Sequence, residues 1–263
     1  MHVLRLAGPV LMLAAALGCG SKPNPAAPTA PAGPSISSLV INGADYLLTG
    51  GAAAYTATVT LSDGSSRSVT PSWTSSDTRV AAVAGAGRLE ALAHGAIALT
   101  AVHEGFSASK TVHIVNDYGG SWSGRYVINV CRDSGVFADG IVGGGYVDVP
   151  WCRALNKVGS EHAFAFTIAQ SGSDYGAIRA TFGPDAGSIS GSVTADGRLN
   201  LDGTLALLDW YGDHFGDLRF SGWNTTLDGA ARMSGRWAQD YTMRGQPGSA
   251  YEEVELLTMT RTR

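Results

Sequence analysis

The chain has 263 residues, 44% hydrophobic and 15% charged, with 18 Lys+Arg against 22 Asp+Glu and a formal net charge of −4. That length fits two domains of roughly 100–150 residues each, and so ordinary an apolar content argues against wholesale disorder. The slight acidic excess, with no basic stripe in any window, argues against nucleic acid as a partner.

At the N-terminus, Arg5 precedes an apolar run from Leu6 to Leu17. Twelve residues of helix reach about 18 Å, too short for a hydrocarbon core of about 30 Å. Residues 1–18 therefore read as a secretory signal. The stretch Ala16-Leu17-Gly18-Cys19 resembles a lipobox, with Ala16 where Leu is usual. The resemblance implies diacylglyceryl transfer to Cys19, cleavage before it, and a membrane partner through that anchor. Gly20 does not supply the Asp that retains lipoproteins at the inner membrane, so an outer-membrane location is expected. An ordinary cleaved signal with an incidental Cys is the alternative. Residues 19–34 carry Pro23, Pro25, Pro28, Pro31 and Pro34 among Gly, Ala and Ser, and read as a semi-rigid tether.

Residues 35–116 switch to period two. Tyr55, Ala57, Val59 and Leu61 share one parity and Thr56, Thr58, Thr60 and Ser62 the other; Asp63-Gly64 supplies a turn before Val69, Pro71 and Trp73. Further short runs at Val80–Val83, Arg88–Ala93, Ala96–His103 and Lys110–Val115 predict a β-sandwich of about seven strands. Trp73-Thr74-Ser75-Ser76-Asp77, Val80-Ala81-Ala82-Val83, Gly87-Arg88-Leu89 and Gly95 are similar to the bacterial Ig-like domain, group 2. That resemblance implies a cell-surface protein in which this domain acts as a spacer, with Trp73 in its core and Asp77 capping a turn. His94, His103 and His113 are expected at surface or edge positions.

Residues 117–263 continue as strands, expected at 121–132, 145–152, 161–171, 174–183, 187–195, 198–208, 217–227, 230–239 and 251–261. Short turns such as Ala195-Asp196-Gly197 and Asp228-Gly229 join them. This predicts an all-β chain: an Ig-like sandwich followed by an antiparallel up-and-down β-barrel, with a second sandwich as the alternative. Gly120-Ser121-Trp122 is similar to the G-x-W signature of the calycins, the lipocalin and fatty-acid-binding barrels. The resemblance implies that Trp122 closes one barrel end beneath Arg261 or Arg263, and that a small apolar ligand could sit inside. Whether Phe164, Phe166 and Ile168 or Ala163, Ala165, Thr167 and Ala169 face inward decides if there is room.

Cys131 and Cys152 remain once Cys19 is lipidated, and in an oxidising compartment they most simply pair, contributing about 3 kcal/mol by loop-closure entropy. No catalytic, nucleotide-binding or zinc motif is present, so no cofactor and no metal are expected. The segment Asp209-Trp210-Tyr211-Gly212-Asp213-His214-Phe215-Gly216-Asp217 places three carboxylates, one His and three aromatics between two strands. Asp209, Trp210, Tyr211, Asp213, His214 and Asp217 form the candidate ligand loop, for a glycan or small molecule. The expected function is a non-catalytic envelope lipoprotein whose Ig-like spacer presents a binding or adhesion head. The alternatives are a purely structural envelope protein and, less favoured, a glycan hydrolase built on this acidic loop. The sequence gives no oligomeric state.

Overall fold

The structure, a computed structural model, describes residues 33–140, 149–171, 178–183, 187–209 and 211–262. The signal segment, Cys19, most of the Pro-rich tether, Trp210 and Arg263 lie outside the described residues. Chain contacts divide the molecule at Ser35/Ile36, and everything described below belongs to the unit Ile36–Arg263.

The first ten strands build the sandwich: β1 (Ile36–Asn42), β2 (Tyr46–Leu48), β3 (Ala52–Ala54), β4 (Thr56–Leu61), β5 (Ser66–Val69), β6 (Ser72–Ser75), β7 (Ala81–Val83), β8 (Arg88–Ala91), β9 (Gly95–His103) and β10 (Phe106–Val115). They order as β1-β4-β5, β2-β10-β9-β6 and β3-β8-β7. The period-two reading places the core: Tyr55, Ala57 and Val59 are buried with Leu89, Ile97, Leu99, Val112 and Ile114. Trp73 packs half-buried against this core. Asp77 Oδ1 accepts from the Arg79 backbone N–H at 2.9 Å, and Arg79 pairs with the same carboxylate at 2.8 Å.

The second half is a closed barrel of eight sequential antiparallel strands: β11 (Gly120–Asp133), β12 (Glu161–Gln170), β13 (Ile178–Thr181), β14 (Ser188–Val193), β15 (Leu199–Leu208), β16 (His214–Asp228), β17 (Arg232–Met243) and β18 (Ser249–Thr262). Closure pairs β11 with β18, which leaves no free edge. Where β11 runs beside β18, a Cβ on Gly124 would lie 1.7 Å from the Thr258 carbonyl oxygen, so only glycine fits.

Phe164, Phe166 and Ile168 face inward, and Ala163, Ala165, Thr167 and Ala169 outward. The interior is therefore filled. Trp223 stacks on Trp237 at 4.4 Å and 14°, Phe182 on Phe220 at 5.0 Å and 15°, and Phe164 on Trp237 at 5.2 Å. The outer face carries exposed Arg125, Thr167, Arg179, Asp202, Arg219, Arg236, Glu253 and Glu255. An aromatic inside with a polar outside is the reverse of a barrel built to span a membrane. No helix among the described residues is long and apolar enough to cross one.

Two sequence expectations need correction. The strand expected at 145–152 does not continue through its described end; Pro150 caps a π-helical turn, Trp151–Leu155, because tertiary bonds described below fold the chain back on the barrel. A four-residue helix, α1 (Val136–Asp139), also stands in the β11–β12 connection. The loop expected at 209–217 ends at Asp213, and His214, Phe215 and Asp217 belong to β16.

Candidate functional site

The end of the barrel where β11 begins is sealed against the sandwich. Trp122 donates its indole N–H to the Tyr118 carbonyl at 2.8 Å, and the Arg261 guanidinium carbon lies 4.9 Å from the centre of the Trp122 rings. Arg261 also pairs with Asp117 at 3.0 Å and donates to its backbone carbonyl. The Tyr118 hydroxyl, buried, donates to the Gly197 carbonyl at 2.8 Å, and burial pushes that hydroxyl up to about 12. His94 donates Nε2–H to the Ala195 carbonyl at 2.9 Å and Asn116 donates to Gly197 at 2.8 Å, so the β14–β15 turn rests on the sandwich. Gly197 has φ +81°, and a Cβ there would lie 2.9 Å from both His94 and Asn116.

The opposite end carries the exposed connections. Cys131 on β11 is bonded to Cys152 in the π-helical turn, with Cα atoms 5.5 Å apart. The Cys152 backbone N–H donates to Asp133 Oδ2 at 2.9 Å. Next to it, Trp151 donates its indole N–H to Glu252 Oε1 at 2.6 Å, and Asn156 Nδ2 donates to the same oxygen at 2.5 Å. Gln239 Nε2 donates to Glu252 Oε2 at 2.6 Å while its own carbonyl oxygen accepts from Trp237 at 3.0 Å. Glu252 is 0% exposed, and among the described residues it forms no ion pair. An acid taken out of water without a cation costs several kcal/mol in lost hydration, offset here by three donated hydrogen bonds. Tyr241 stands beside it, linked through Gln239 at 3.1 Å. Burial, then the Glu252 charge, raise the Tyr241 hydroxyl well above its ordinary value.

A cavity of about 130 Å³ opens at this end, walled by Phe137, Trp151, Leu207, Phe215, Tyr241, Thr242 and Met243. Phe137 meets Trp151 edge to face at 5.5 Å, and Trp151 lies 4.7 Å from Tyr241. Phe137 is 2% exposed and the other walls are partly exposed.

The candidate loop lies beside this cavity. Asp209 Oδ1 accepts from the Tyr211 and Asp213 backbone N–H groups at 2.9 Å each, so this carboxylate sets a turn. Tyr211 is 89% exposed. His214 meets Asp217 at 2.9 Å on β16, and Asp213 is exposed. Among the described residues no group of three or more His, Cys, Asp or Glu could hold a metal ion. The structure thus brings Cys131, Cys152 and the 209–213 turn to one end, and sets Trp122 and Arg261 at the other.

Glu252, Gln239, Asn156, Trp151 and Tyr241 escape the sequence reading. A trace of the signal is present: Ala250, Glu252, Val254 and Leu256 share the inward parity of β18, so an acid stands where the pattern calls for an apolar side chain.

The fold defines an all-β protein in which a sandwich carries a closed, filled barrel. Residues 45–112, about a quarter of the chain, match the family described as bacterial Ig-like domain (group 2). Among solved structures, domains 5–6 of the S-layer protein SbsC share 11% identity over 84% of this chain and 97% of that one, with a TM-score of 0.28. Domains 4–9 of the same surface layer protein share 11% over 84% of this chain and 31% of that one, again at 0.28. Both likenesses are distant. No curated protein matches the chain. The Ig-like domain fits an extracellular or cell-envelope protein with a structural or binding role.

Proposed function

We propose that this protein is a non-catalytic cell-envelope lipoprotein, tethered to the outer membrane through Cys19, whose Ig-like spacer presents the barrel as a binding head. The observation that carries this reading is the contrast between the barrel ends. One end is bonded to the sandwich, while the other displays Tyr211, an aromatic-walled cavity and the disulfide-bound turn away from it. The filled interior moves the contact from inside the barrel to this end. That same dense packing favours a second reading, a purely structural envelope protein with no ligand.

The test is surface binding by the full chain, measured on glycan arrays and on envelope preparations. Trp210→Ala combined with Tyr211→Ala is expected to lower binding about tenfold with unchanged thermal unfolding, since the Tyr211 ring is exposed and packs in no core. Equal binding by the double variant would remove this loop from the head, and no binding by either protein would favour the structural reading.

A further inference from the structure

We infer that the cavity at the free end of the barrel is a cage for a trimethylammonium group, as carried by choline and its derivatives. The inference rests on the reading of the barrel as a binding head and names a ligand class for it.

Four of the seven walls are aromatic: Phe137, Trp151, Phe215 and Tyr241, with Met243 adding a polarisable thioether. Aromatic faces attract cations through their quadrupole, most strongly when the cation has shed its water. A quaternary ammonium sheds water at little cost and needs no hydrogen-bond acceptor, which suits walls whose exposed area is largely apolar. The volume, about 130 Å³, is close to that of an apolar cavity of about 150 Å³ that admits benzene, and a trimethylammonium head is no bulkier than benzene.

An apolar cavity alone would take a neutral guest equally well, and the charge behind the wall decides the class. Glu252 is fully buried and has no cationic partner among the described residues. Among the described residues, every hydrogen bond to its carboxyl oxygens is donated to it, by Trp151, Asn156 and Gln239. The ring of Trp151 therefore walls the cavity on one side and bonds the buried acid through its indole edge. A cation in the cavity sees that negative charge across one aromatic ring, in a low-dielectric setting where charges act strongly. The rim itself is of mixed charge, with Asp209 and Asp213 exposed on the adjoining turn and Arg244 following the Met243 wall, so the buried Glu252 is what sets the sign of the site. At the opposite end the corresponding space over Trp122 is already filled by the protein's own cation, Arg261.

Isothermal titration of the full chain with choline, and with its neutral isostere 3,3-dimethylbutan-1-ol, tests this directly. Choline is expected to bind about tenfold or more tightly than the isostere, the margin a desolvated cation–π contact provides. Glu252→Gln should narrow that margin several-fold while keeping the isostere bound, leaving the part that the aromatic walls supply. Phe215→Leu, a partly exposed wall outside the Glu252 hydrogen bonds, should weaken choline several-fold and leave the isostere almost unchanged, and it covers the case in which Glu252→Gln does not fold. Equal affinity for both ligands in the unaltered protein, or no choline binding, would overturn the cage. Flotation with phosphatidylcholine vesicles, competed by free choline, separates a lipid headgroup from a small solute as the carrier, and either result retains the cage. Surface binding that persists without any choline binding would sink this inference and leave the head intact. Choline binding without surface binding would do the reverse.

Discussion

Each end of the barrel is closed around a tryptophan, and the two closures are electrically opposite. At the sandwich end, Trp122 lies under Arg261, whose charge is matched by Asp117. At the free end, Trp151 donates to Glu252, and among the described residues that carboxylate has no cation. The first end is complete in itself and is used to fix the barrel on its neighbour. The second leaves one charge uncompensated beside a cavity, an arrangement that costs stability and is therefore informative about function.

The largest expected effect separates the two tryptophans. Trp122→Ala removes a 1% exposed ring from the core and should cost about 3–5 kcal/mol. Trp151→Ala takes a partly exposed ring and one donor from Glu252 and should cost about 1–3 kcal/mol. Denaturant midpoints of the two variants check the pair, and equal losses would mean that the ends do not differ in this way.

Next comes the disulfide. Cys131→Ser with Cys152→Ser should cost about 3 kcal/mol through loop-closure entropy. Hydrogen exchange should quicken around Trp151–Leu155 while amides near Trp122 keep their protection. Loss of protection spread evenly through the barrel would show that the two ends are coupled.

The smallest effect is alkaline. Tyr118, at the sealed end, is pushed up to about 12 by burial, and Tyr55 in the sandwich to about 12 by burial and then the Asp45 charge. In the unfolded chain both ionise near pH 10. A raised folded value favours the neutral hydroxyl in the native state, so this stability is whole below about pH 10 and fades as pH rises towards 12. Unfolding midpoints measured from pH 9 to 12 should fall, and Tyr118→Phe should flatten part of that fall. An identical pH slope in the variant would exclude Tyr118 as the titrating group.

Much of the architecture was legible because strands repeat every two residues. Tyr55, Ala57 and Val59 alternate with threonines, and Phe164, Phe166 and Ile168 with small residues, so pattern alone gives two β units and separates the two faces of each strand. It left open which face of the 163–169 strand points inward, because a period-two pattern does not say where the barrel axis lies. The 209–217 segment was read as one loop from its composition. Asp209 closes the turn by Asp213, and backbone pairing with β15 and β17 carries His214–Asp217 into β16.

What the sequence by itself determined is the all-β class, the order of the two units and the two-residue alternation along their strands, since these depend on neighbours a few residues apart; which face of the 163–169 strand turned inward was decided by the closed barrel. The tertiary structure alone decided the site. Trp151 and Asn156 reach Glu252 from 101 and 96 residues away, and Gln239 from 13 residues away across the β17–β18 pair. No local pattern encodes such meetings; closing the barrel and tying the β11–β12 connection across its end created them.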